Sequence, residues 1–245
     1  MEYLEEIAGN NADQLAQLEE GIGHRFNRSL LLLEALIHSS FSFEQGKKII
    51  KNNEVLEFIG DAVLDLSIGA ALLKKFPMMK EGELTRLRAS LVNESHLTTM
   101  AREINLGDYL FLGRGEEASN GRNKSSILSS AFEALVGAIF MDNGYDAADA
   151  FIIRLFSEHF AIQKDNLALA DAKSRLQEMT QEKYSEAPLY QMVKEEGPDH
   201  EKIFTVSVRF RGESLAYGQA GNKKEAEQRA AASAIVKLLE SGWEN

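Results

Sequence analysis

Apolar residues recur every three or four positions from Ala12 to about Gln163, the period of an amphipathic helix. Leu15, Leu18 and Ile22 begin the series, and SLLLLEALIHSS and NEVLEFIGDAVLDLSIGAALLKKF continue it. EGELTRLRASLVNESHLTTMAREI predicts one long amphipathic helix ending before Asn105 and Gly107. SSILSSAFEALVGAIFMDNG predicts another, stopped at Gly144, and YDAADAFIIRLFSEHF one more. No convincing strand pattern interrupts them, so residues 1–165 read as an all-α bundle.

After the polar stretch QKDNLALAD the period changes. AKSRLQEMTQEKY reads as a helix. PLYQMVKEE, KIFTVSVRF and ESLAYGQA read as three strands, with alternation clearest in Phe204, Val206, Val208 and Phe210. NKKEAEQRAAASAIVKLLES closes as a helix. The order α-β-β-β-α predicts a linker and a small α+β domain over residues 166–245, with helices on one face of an antiparallel sheet. There is no internal repeat and no low-complexity tract.

Composition narrows the setting. With 245 residues, 44% hydrophobic and only three prolines, the chain is long enough for two ordinary domains rich in helix. It has no cysteine, which excludes disulfides and thiolate metal sites and suits a reducing cytoplasm. The acidic start MEYLEEIAGNNADQ does not resemble a signal peptide. Gly, Asp or Lys interrupts the apolar runs short of the roughly 20 residues that a membrane span needs. The expectation is a soluble cytoplasmic protein without membrane contact. A formal charge of −11 argues against a polyanion as partner. The charge is uneven, however: residues 1–170 hold 16 Lys and Arg against 25 Asp and Glu, and residues 171–245 hold 11 against 13. A nucleic acid would therefore have to bind through local basic patches.

The segment NNEVLEFIGDAVLDLS places Glu54, Glu57 and Asp61 within roughly 60° of one another on a helix that is otherwise apolar nearly all round. One reading is a narrow solvated stripe. The other is a site, because crowded carboxylates inside a bundle are costly unless something offsets their charge. Gly60 sits mid-helix and suggests close approach by another element. A second apolar helix carries Glu133, with Gly137 one turn later. Packing the two glycine notches together would bring Glu57, Asp61 and Glu133 to one point. Oxygen ligands without Cys or His suit a hard ion, Mg²⁺ or Mn²⁺. Asp65, one turn on, reads more simply as a solvated or capped acid. The histidines His24, His38, His96, His159 and His200 fit no ligand spacing, and the first four read as structural.

NEVLEFIGDAVL resembles the signature of the ribonuclease III family, whose pattern is close to N-E-x-L-E-F-L-G-D-A-V-L, over twelve consecutive positions. LLLLEALIHSSFS before it, and EGELTRLRASLVN, LFLGRGEE and AFEALVGAIFMDNG after it, agree with the same family. The C-terminal α-β-β-β-α unit resembles the double-stranded-RNA-binding domain of bacterial members. The resemblance implies a metal-assisted endonuclease acting on double-stranded RNA. It would leave 5′-phosphate and 3′-hydroxyl ends and take part in processing ribosomal and other precursor RNAs. Glu57, Asp61 and Glu133 match the family's metal and catalytic acids, and Glu54 an acid at the edge of the site. The family usually has another Asp three residues before the Glu of FEAL; here it is Ser130, a neutral and weaker ligand. The resemblance also implies a homodimer, with Phe58 inserted into a partner socket near Glu81, whereas the residues alone fit core packing equally well.

RNA contacts are expected from the small domain. Asn222 is a good N-cap, and Glu225 three residues on suggests a capping box. Lys223 and Lys224 then fall in the first helical turn, where the macrodipole disfavours cations unless an anion is bound. The resemblance adds Lys173, Gln177 and His200 as minor-groove readers of shape and 2′-hydroxyls. Two rivals remain open at this stage. One is a catalytically weakened double-stranded-RNA-binding protein, suggested by Ser130; the other is a phosphohydrolase for small substrates.

Overall fold

A computed structural model describes residues 2–45, 51–198 and 200–241, which form two compact units, Met1–Phe160 and Ala161–Asn245. The first unit is helical: α1 (Glu2–Asn10), α2 (Ala12–Ile22), α3 (Ser29–Leu36), α4 (Ser39–Glu44), α5 (Glu54–Lys75), α6 (Glu81–Leu91), α7 (Glu94–Glu103), α8 (Arg114–Ala118), α9 (Ser125–Asn143) and α10 (Tyr145–Phe156). Helix α9 is its axis. Eleven of its nineteen residues are buried, and α3, α5, α7 and α10 pack around it. Phe132 and Phe156 lie wholly inside, as do Leu64, Ile68 and Leu72 of α5.

Three expectations need correction. The segment 81–104 is two helices, because the Asn93 side chain accepts the His96 N–H at 2.9 Å and starts α7 afresh. SLLLLEALIHSS is likewise broken at Ile37, which is extended and pairs in parallel with Phe111. That break is useful to α5: Asn53, buried just ahead of it, donates its N–H to the Ile37 carbonyl at 2.9 Å. Finally, the polar stretch expected to lead into a linker, QKDNLALAD, is helical as far as Ala170, within α11 (His159–Ala170). It has no apolar face to betray a helix, yet it contains neither Gly nor Pro to stop one.

Helix α9 bears on the expectation of no membrane span. Among the described residues it is the one helix long and apolar enough to cross a membrane. Its burial within the bundle shows why it is so apolar: it is a core helix.

The second unit holds α12 (Ala172–Tyr184), β1 (Leu189–Glu196), β2 (Ile203–Phe210), β3 (Glu213–Ala220) and α13 (Lys223–Glu240). The strands are antiparallel in the order β1-β2-β3. Arg211 and Gly212, both at positive φ, make the two-residue turn between β2 and β3. Val208 faces a core lined by Leu176, Ala230, Ala234 and Leu238 from the two helices, and Val206 packs with Ala220 and Ala226. Gly218 lets β3 press against α13, since a Cβ there would lie 2.2 Å from the Ala226 carbonyl oxygen.

Candidate active site

The glycine notches on α5 and α9 meet each other. A Cβ on Gly60 would lie 1.8 Å from the Glu133 carbonyl oxygen, and one on Gly137 would lie 2.1 Å from that of Leu56. No side chain larger than hydrogen fits at either place, so the two backbones approach closely and their acids become neighbours. Glu57 and Glu133 are half-buried, while Asp61 and Glu54 are exposed on the same helical stripe. Burial pushes the Glu133 carboxyl up to about 7, helped by the negative charges of Asp61 and Glu57. The Ser130 hydroxyl, one turn before Glu133, donates to Glu57 Oε1 at 2.9 Å. Asp65 leaves this group and pairs with Arg88 of α6 at 3.4 Å.

The expected convergence on a single point is therefore incomplete. Among the described residues, no three His, Asp or Glu side chains form a group that could hold a metal ion as they stand. The donor set nonetheless fits a hard divalent cation: every donor is oxygen, and a cation there would offset the charge that burial, with Asp61 and Glu57, disfavours at Glu133.

Phe58 is 77% exposed beside Glu57, so packing within its own chain does not account for it. Val55 and Leu66, 72% and 59% exposed, fall on the same face of α5, as does Ala62. Glu81 is exposed at the start of α6 and accepts from the Thr85 hydroxyl at 3.0 Å. The histidines of the first unit serve structure. His38 begins α4 and accepts from the Ser40 N–H; His159 lies 3.5 Å from Glu103. Burial and the neighbouring His159 lower His96 to about 4, and burial also lowers His24, which lies 3.9 Å from Asp142.

In the second unit Gln177 and His200 are exposed, as are Lys223 and Lys224 at the N-terminus of α13. Asn222 Oδ1 accepts the Glu225 N–H at 2.9 Å. The other half of the expected capping box is missing: the Glu225 carboxylate meets the Asn222 side-chain amide and Arg229. Lys173 is not a bare cation. It pairs with Glu227 at 2.5 Å and stands 4.6 Å from the Tyr190 ring centre. Glu227 escaped the sequence reading because it lies 54 positions from Lys173; only the packing of α12 on α13 brings them together.

A carboxylate-bearing helical bundle and a three-stranded α+β unit with lysines at a helix start are parts that a two-domain enzyme directed at nucleic acid would need. Residues 28–159 match the ribonuclease-III-like family, and residues 172–238 match the double-stranded RNA binding motif. Ribonuclease 3 of Desulfotalea psychrophila is 58% identical over 96% of this chain and 97% of its own length. That of Syntrophobacter fumaroxidans is 44% identical over 95% and 98%. The solved nuclease domain of ribonuclease III from Campylobacter jejuni, described as flexible in a region involved in dimer formation, is 43% identical. Its TM-score is 0.55, covering 59% of this chain and 97% of that one. The chain belongs to the ribonuclease III family of double-stranded-RNA-specific endoribonucleases.

Proposed function

We propose that the chain hydrolyses phosphodiester bonds of double-stranded RNA at the α5–α9 acid cluster, leaving 5′-phosphate and 3′-hydroxyl ends on processed precursor RNAs. The observation that carries this reading is the close crossing of α5 and α9 at Gly60 and Gly137, which sets Glu57 and Asp61 beside Glu133. Three neighbouring carboxylates would hold Mg²⁺, with Mn²⁺ as a substitute, through Glu57, Asp61 and Glu133. A divalent ion bound there supplies an acidified water as nucleophile and charge stabilisation for the leaving oxygen. The protein's own part is to fix the acids on two closely packed helices, where a bound cation would offset the charge that burial and the neighbouring acids disfavour at Glu133. Glu54, exposed one turn before Glu57, takes the edge of the site nearest solvent.

RNA is held by the second unit. Lys223 and Lys224 present two cations where the N–H groups of α13 already favour an anion, so a phosphate would complete the site. Gln177, His200 and Lys173 supply contacts to sugars and phosphates along the minor groove, a mode that reads shape rather than sequence.

The active form is a homodimer built on the exposed face of α5. Phe58, Val55, Ala62 and Leu66 form an apolar stripe that a second copy would cover, with Phe58 seated near Glu81 of that copy. Dimer formation by the nuclease domain of the Campylobacter jejuni relative supports this reading. Since the acids adjoin the stripe, dimer formation would set two clusters on either side of one two-fold axis. The intact acids Glu57, Asp61 and Glu133 favour an active enzyme over a silent binding protein. The test is a long RNA duplex with Mg²⁺. Wild-type protein should cut it; Glu133→Ala should bind it as tightly and leave it whole. Undiminished cutting by Glu133→Ala would refute the assignment.

A further inference from the structure

Two adjacent serines on α9 behave differently. Ser129 turns back on its own helix and donates to the Ser126 carbonyl at 3.1 Å, the ordinary habit of a helical serine. Ser130 does not. Its hydroxyl crosses to α5 and donates to Glu57 Oε1, 73 positions away, at 2.9 Å. A hydroxyl is short, and it spans the gap only because Gly60 and Gly137 let the two backbones close together.

We propose that Ser130 is a positioning residue, whose hydroxyl holds the Glu57 carboxylate in its working place before any cation arrives. The proposal rests on the reading that the acid cluster is the catalytic site. A serine can donate to a carboxylate, whereas an aspartate at 130 would set a second negative charge against Glu57 and depend on a cation to hold the two together. The single hydroxyl proton goes to one carboxylate oxygen, so Glu57 keeps its second oxygen for a further ligand. Ser130 thus acts through Glu57 and need not touch the ion.

The test uses the full chain as wild type, Ser130→Ala, Ser130→Thr and Ser130→Asn. Mn²⁺ binding is measured by calorimetry without RNA, and Mg²⁺ dependence by cleavage of one long duplex. A hydrogen bond to a charged group predicts that Ser130→Ala weakens Mn²⁺ binding about tenfold. The Mg²⁺ concentration for half-maximal cleavage should rise by about the same factor, with duplex affinity unchanged. Thr, which keeps the hydroxyl, or Asn, which offers an amide N–H, should recover most of the loss. Wild-type Mn²⁺ affinity in Ser130→Ala overturns the proposal, and so does a loss that neither Thr nor Asn reverses. Wild-type protein that binds Mn²⁺ yet cuts no duplex would refute the nuclease reading while leaving the Ser130 comparison intact.

Discussion

Replacing Glu133 by Gln should stabilise the metal-free protein at pH 8 while destroying its activity. The carboxyl ionises near 4.5 in an unfolded chain and at about 7 in the folded one, first because it is buried and then because Asp61 and Glu57 repel its charge. Between those values the unfolded chain has released a proton that the folded chain retains. Stability from this group is therefore complete below about pH 4.5, declines as pH rises to 7, and stays low beyond. The full displacement corresponds to about 3 kcal/mol, and screening by water at this half-buried position reduces it to about 2 kcal/mol. Glutamine keeps the shape and carries no charge. Urea unfolding in EDTA should show the variant about 2 kcal/mol more stable than wild type at pH 8, and within about 0.5 kcal/mol at pH 5. Adding Mg²⁺ should raise wild-type stability more than that of the variant, since the cation offsets the repulsion that glutamine already removes. An equal gain at both pH values would show that the ionised carboxylate is not the source.

Gly60→Ala should force α5 off α9, because its Cβ would fall 1.8 Å from the Glu133 carbonyl oxygen; thermal unfolding should report a loss of about 3 kcal/mol or more, together with lost cleavage. Lys223→Ala combined with Lys224→Ala should weaken duplex binding and lower the slope of log affinity against log salt by up to about two, one counterion term per lost contact. A slope that does not move would mean those lysines simply face water. Phe58→Ala removes a side chain that is 77% exposed, so the fold of a single chain should lose less than about 0.5 kcal/mol. Sedimentation should nevertheless shift towards monomer, and activity should fall with it; a fully active dimer would rule out the stripe on α5 as the interface.

Local pattern carried much of this molecule. The α9 helix, its stop at Gly144 and the three strands are readable because each is written in neighbouring residues: a period, a positive-φ glycine, an alternation. The acids could be singled out the same way, since a charge on an apolar helix stands out without knowledge of its partners. Mid-helix glycines pointed to a close crossing, because Gly60 weakens a helix and gains only by what it lets approach. What the chain could not show locally was decided by packing. Helix α11, for one, forms without an apolar face to announce it. The same holds at the site. Ser130 is 73 positions from Glu57 and Lys173 is 54 from Glu227, so no spacing rule relates them. The value near 7 at Glu133 needs both burial and two charges brought in from α5. Residue types set which chemistry is available, but distance and dielectric set its strength, and those exist only once the helices have closed on one another.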